Sequence, residues 1–147
     1  MALVPDDFEV PVRLETESFV LEPLGPEHNE RDHQAWSSSI EHIRSTPGFG
    51  ARHWPHPMSP EENLADLERH RAEFDDRTAF AYSVLDPLAG DVIGCVYVDP
   101  DDAHADGVRV RSWTRATYAD LDEALRDAVV DWLKRDWPFA SICTGQE

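Results

Sequence analysis

Between a strand-like stretch and an amphipathic helix stand only Arg115 to Asp120, and the chemistry this spacing admits is anion binding. A tight strand-turn-helix link leaves the first N–H groups of the helix pointing out of the end of the strand, where many proteins hold an anion. Two readings are open. Either an external anion fills the site, or the chain fills it itself, with Thr117 or Asp120 as N-cap and the acids Asp120, Asp122 and Glu123 favoured by the helix dipole. Other chemistry-bearing spacings are weaker. His53 and His56 form an HxxH pair, but Pro55 lies between them and no third ligand is close in sequence, so no metal site is expected there. The run Asp99, Asp101, Asp102, His104 and Asp106 offers oxygen ligands to a hard cation, yet it lacks the spacing of a calcium loop and reads as a solvated acidic loop. There is no GxSxG, no GxxxxGK[ST] and no supported Cys-His pair. Cys95 and Cys143 sit in strand-like segments and read as buried reduced thiols.

The elements that must position these residues follow from periodicity. Val108, Val110 and Ser112 alternate with Arg109, Arg111 and Trp113, the period of a strand. From Leu121 the pattern becomes helical, with Leu121, Leu125, Ala128, Val129, Trp132 and Leu133 on one stripe. Upstream, Met1 to Val10 reads as a poorly held terminus and 12–24 as strand. Residues 27–45 are expected to form one helix with Trp36, Ile40 and Ile43 on its buried side, stopped by Pro47 and Gly48. The stretch 46–60 is too irregular for an element and too aromatic for an inert linker, so it is expected to fold back on the domain. Ser59, Pro60 and Glu62 make a capping box for a helix to about Asp75, with Leu64, Leu67 and Phe74 inward. Residues 79–85 and 91–99 alternate as an antiparallel hairpin, and 138–144 form a last short strand. His28, His33, His42 and His70 fall outside any pattern and are expected at the surface, while Tyr82, Tyr97, Trp36 and Trp113 are expected in the core.

The order is therefore β, α, α, β, β, β, α, β, a single α+β domain over 1–147. The closing strand-helix-strand unit makes its two strands parallel in an otherwise antiparallel mixed sheet with helices on both faces. Net charge is −17, and 12 of the 13 basic residues are arginine. Such a charge disfavours nucleic acid and anionic membrane as partners, because both are polyanions. No apolar run is long enough to span a bilayer and the start is acidic, so a soluble cytoplasmic protein is expected.

The element order, the hairpin carrying VIGCVYV and the strand-turn-helix after it resemble the GCN5-related N-acetyltransferase (GNAT) superfamily over nearly the whole chain, most of all its short bacterial members. The resemblance implies an acetyl-CoA cofactor whose pantetheine arm lies along 108–114 and whose pyrophosphate rests on the turn. It marks Trp113, Thr114, Arg115, Ala116, Thr117, Tyr118, Ala119 and Asp120 as cofactor-binding, and Phe49 and Trp54 as lining the acceptor pocket. The superfamily pattern R/QxxGxG/A aligns on Arg115 to Asp120, and only Arg115 matches. Tyr118 and Asp120 stand where the pattern has small residues that let backbone N–H groups approach a diphosphate. The implied general base is a Glu or water on the central strands. No Glu lies there, and Tyr97 and Ser112 are the polar candidates. The implied leaving-group acid, a Tyr beyond the last strand, has no counterpart to assign. The resemblance thus implies an acetyl-CoA-dependent N-acetyltransferase of a small, cationic amine. Its alternatives are a protein of this fold that has lost CoA binding and serves as a binding or regulatory module, homodimeric or not, and a fold turned to other small-molecule chemistry.

Overall fold

In the computed structural model, which describes residues 2–50, 54–104 and 106–144, six strands form one sheet in chain order. These are β1 (Leu14–Glu15), β2 (Val20–Pro23), β3 (Phe80–Leu85), β4 (Val92–Pro100), β5 (Gly107–Thr114) and β6 (Ser141–Thr144). Every neighbouring pair is antiparallel except β5 and β6, which run parallel from Gly107 opposite Ser141 to Val110 opposite Thr144. Among the described residues β6 therefore accompanies only the first half of β5, and Arg111 to Thr114 have no partner on that side.

The helices are α1 (Asn29–Ser37), α2 (Ile40–Arg44), α3 (Pro60–Asp76) and α4 (Asp122–Asp136). Where one helix over 27–45 was expected, the chain makes two. Ser37, Ser38 and Ser39 carry hydroxyls that compete for nearby backbone groups, and Ser38 Oγ donates to the Ala35 carbonyl at 3.0 Å. The capping box of α3 forms as its spacing requires: Ser59 Oγ accepts the Glu62 N–H at 3.1 Å, and Glu62 Oε1 accepts the Ser59 N–H at 2.9 Å. The β3–β4 hairpin is closed by Asp86, whose Oδ1 accepts the N–H groups of Leu88 and Ala89, while Gly90 takes the left-handed φ of 76° that the turn needs.

Each face of the sheet has its own apolar core. On one, Leu125, Val129, Trp132 and Leu133 of α4 cover Val96, Val98, Val108 and Val110. On the other, α1, α3 and the loop after α2 enclose Trp36, Phe49, Leu67, Cys95, Tyr97 and Trp113. The N-terminal segment, expected to be loose, instead straps the α4 face. Val4 is buried, Phe8 packs on Trp137, the Arg77 guanidinium donates to the Pro5 and Phe8 carbonyls, and Tyr82 Oη donates to the Pro11 carbonyl at 2.6 Å. Its anchors lie 69 to 129 residues further along the chain, so no local pattern could have announced them.

Candidate binding site

On the α1/α3 face the sheet and helices leave a cavity of about 520 Å³. One wall is α3, whose Asn63, Asp66, Leu67, His70 and Glu73 recur at helical spacing and share a face. Facing it are Tyr97 and Asp99 of β4 and Arg111 of β5, brought together because Tyr97 and Arg111 are directly opposite in the antiparallel register. Asp32 of α1, Leu24 and Trp54 complete the lining.

Asp32 is the buried acid of the site, 4% exposed. Asn63 Nδ2 donates to its carboxylate at 3.0 Å and to Asn29 Oδ1 at 2.9 Å, while Asn63 Oδ1 accepts the Trp36 indole N–H at 3.1 Å, so the amide is held from three sides. Burial pushes the Asp32 carboxyl up to about 6, against the Asn63 hydrogen bond that lowers it. His70 is moved the other way: burial, with help from Arg69 and Arg111, takes its imidazole down to about 4, so it is neutral at pH 7. Tyr97 Oη accepts the Trp113 indole N–H at 3.0 Å, and burial holds its pKa well above the usual phenol value, which keeps the proton on and removes it as a base. The Arg111 guanidinium sits 5.0 Å from the ring centroids of both Phe49 and Tyr97, as cations do over aromatic faces. Its Nη2 donates to Asp99 at 3.3 Å, and its buried Nε has no acceptor among the described residues, a condition that costs about 1–3 kcal/mol.

Among the described residues the cavity thus presents four carboxylates, Asp32, Asp66, Glu73 and Asp99, against two guanidinium groups, Arg69 and Arg111, with apolar surface from Trp54, Leu24 and Leu67. Asp32, pushed up to about 6 by burial, can take up or release a proton near neutral pH.

The turn after β5 is occupied by the protein itself. Residues Ala116–Leu121 form a 3-10 turn. The Arg115 N–H donates to the Ile93 carbonyl at 2.8 Å, the Ala116 N–H to Ser39 Oγ at 2.9 Å and the Tyr118 N–H to the Arg115 carbonyl at 2.8 Å. Tyr118 Oη donates to Asp86 Oδ2 at 3.1 Å, tying the turn to the β3–β4 hairpin. Neither Thr117 nor Asp120 caps α4: its N-cap is Leu121, without a side-chain cap, and both expected caps are exposed. The carboxylate at the helix start belongs to Asp122, whose Oδ1 accepts the Thr114 hydroxyl at 2.7 Å and whose Oδ2 lies 2.7 Å from His42 Nε2.

Of the remaining sequence-derived candidates, Trp54 and Tyr97 line the cavity, while Phe49 is fully buried behind Arg111. Ser112 is buried on the opposite, α4-facing side of β5. Trp113 lies beneath Trp54, 6.0 Å between centroids, and Thr114 to Asp120 lie beyond the cavity at the end of the strand. Sequence reasoning missed Asp32, Asn63, His70 and Arg111. The four histidines expected at the surface are a correction: His28 is fully buried and 2.7 Å from Glu22, His33 reaches the Met58 carbonyl, His42 meets Asp122, and His70 lines the cavity. His28 lies in a 3-10 turn just before α1 and the other three sit on helix faces, each meeting polar partners, so the apolar stripe did not mark them. Among the described residues no three His, Cys, Asp or Glu side chains gather as a metal site, and His53 lies outside those residues. Nor is any described helix long and apolar enough to cross a membrane.

No family model and no curated protein matches the sequence. Solved structures do match. The ribosomal-protein-S5-alanine acetyltransferase from Vibrio fischeri is 15% identical with a TM-score of 0.66, over 84% of this chain and 67% of that one. The acetyl transferase from Salmonella typhimurium that modifies the N-terminal serine of 50S ribosomal subunit protein L7/L12 is 12% identical with a TM-score of 0.62, over 87% of this chain and 70% of that one. The microcin C7 self immunity acetyltransferase MccE, in complex with acetyl-CoA and AMP, is 12% identical with a TM-score of 0.64, over 87% and 71%. With its mixed sheet, parallel last pair and strand-turn-helix crossover, the chain has the fold of the GCN5-related N-acetyltransferase superfamily.

Proposed function

We propose that this chain is a binding protein for a small cationic amine, built on the acetyltransferase fold with the acceptor side of the site kept and the diphosphate side closed. The observation that carries it is the buried Asp32 carboxylate in a cavity whose ionised groups are mostly acidic and whose remaining surface is partly aromatic and aliphatic. An ammonium ion there restores to Asp32 the charge partner that burial denies it. The residues present do not fit the diphosphate of CoA. The Ala116 N–H is taken by Ser39, the Tyr118 side chain reaches from the turn to Asp86, and the Asp122 carboxylate adds negative charge at the start of α4. Closing that subsite leaves recognition, without acyl transfer, as the role of the cavity.

A second reading, an acetyl-CoA-dependent N-acetyltransferase of the same amine, is favoured by the second half of β5, which has no β6 partner among the described residues, and by Asp32 as a base near neutrality. MccE, which shares the fold, was solved with acetyl-CoA. One experiment separates them. Thermal shift and calorimetry are run in parallel with a set of primary alkyl and aryl amines and with acetyl-CoA. The binding reading expects at least one amine at 100-fold its Kd to stabilise the protein by about 2.7 kcal/mol. It also expects Asp32→Asn to abolish that gain and millimolar acetyl-CoA to give none. A saturable shift with acetyl-CoA overturns the binding reading in favour of the enzyme, and no shift with any amine overturns both.

A further inference from the structure

We propose that the ligand of the α1/α3 cavity is an ampholyte, its amine held by Asp32 and its carboxylate by Arg111, as in a free amino acid with an apolar or aromatic side chain. The proposal rests on the amine reading above and adds the second charge. Its basis is the state of the Arg111 guanidinium. The Nε–H and one Nη2–H of an arginine lie side by side as a fork that matches the two oxygens of a carboxylate. Here the fork is half used: Nη2 reaches Asp99 at 3.3 Å, longer than charge-assisted pairs run, and Nε is buried without an acceptor among the described residues. The group is otherwise held in place, packed against the rings of Phe49 and Tyr97. Its position is thus set by packing, and what it lacks is a second oxygen. A ligand carboxylate supplies both, with Asp99, which is 36% exposed at its side chain, turning outward to water. The cavity, at about 520 Å³, has room for an amino acid side chain against Trp54 and Leu67.

The test uses matched probes on the full chain: L-phenylalanine, phenethylamine and 3-phenylpropanoate, and the corresponding leucine, isoamylamine and 4-methylpentanoate set, by calorimetry and tryptophan fluorescence. In at least one set the amino acid is expected to bind about tenfold or more tightly than the amine, and the acid alone not at all. Arg111→Gln removes the advantage of the amino acid over the amine. Because Arg111 is largely buried and its loss could unfold β5, Asp99→Ala is the second arm: it frees the fork from its protein acceptor, and the amino acid is expected to gain several-fold while the amine does not. Amines that bind as well as their amino acids, with a ratio unmoved by Asp99→Ala, overturn the ampholyte and leave the amine reading standing. Silence from all amines and amino acids overturns both.

Discussion

Asp32 and His70 share the cavity lining and are displaced in opposite directions, which makes their effect on stability separable by pH. The folded protein raises the Asp32 carboxyl from 3.8 to about 6, so the stability it contributes is present below about pH 4 and lost as pH rises through 6. His70 is depressed from 6.5 to about 4, so its contribution is present above 6.5 and lost as pH falls through 4. Over the same window the two largely offset. In Asp32→Asn only the His70 slope remains. The variant is expected to gain stability relative to the parent between pH 4 and 7 by on the order of 3 kcal/mol. Urea denaturation at stepped pH reads this directly, and parallel profiles for parent and variant would mean that Asp32 does not titrate as its burial demands.

At the scale of elements, the turn after β5 and the start of α3 make contrasting predictions. Replacing Ser59 by Ala breaks one arm of a well-formed capping box, and a loss of about 1 kcal/mol is expected in chemical denaturation. The turn is a question of access. Tyr118→Gly with Asp120→Gly removes the two side chains at the positions where the superfamily pattern has small residues, and adding Ser39→Ala releases the Ala116 N–H. If these groups close the diphosphate subsite, the triple variant acquires measurable affinity for acetyl-CoA that the parent lacks. A folded triple variant with no such affinity would place the obstruction at Asp122 and His42 instead. A third element effect concerns Gly94 in β4, where any Cβ would overlap the Trp113 carbonyl oxygen of β5. Gly94→Ala is expected to cost about 1–3 kcal/mol, visible as a lowered midpoint in thermal unfolding, because backbone on the neighbouring strand has no rotamer by which to yield.

For the whole molecule the net charge of −17 sets the balance between solubility and self-repulsion. Exposed acids on α3 and α4 outnumber the arginines near them, and repulsion between them is screened as the Debye length falls from about 30 Å at 0.01 M salt to 3 Å at 1 M. The melting temperature is therefore expected to rise with sodium chloride across that range. Amine binding at the acidic cavity is expected to weaken over the same titration, since it draws on the same field. A melting temperature that falls with salt would show that specific ion pairs outweigh the general repulsion.

How much of this was legible depended on the range of the interaction. Strand and helix periods, the α3 capping box, the hairpin at Asp86 and the parallel last pair all follow from residues within a few positions of one another, or from the rule that a helix between two strands of one sheet makes them parallel. The sequence by itself therefore determined the architecture, and it located the turn at Arg115 to Asp120 together with its poor match to a phosphate cradle. What fills that turn was decided by the tertiary structure, through Ser39, His42 and Asp86, which local spacing cannot bring to it. The cavity was decided the same way. Asp32, Asn63, His70 and Arg111 come from two helices and a strand, and each looks like an ordinary polar surface residue in its own segment. Burial gives them their chemistry, and burial depends on packing across the sheet, which only the assembled fold provides.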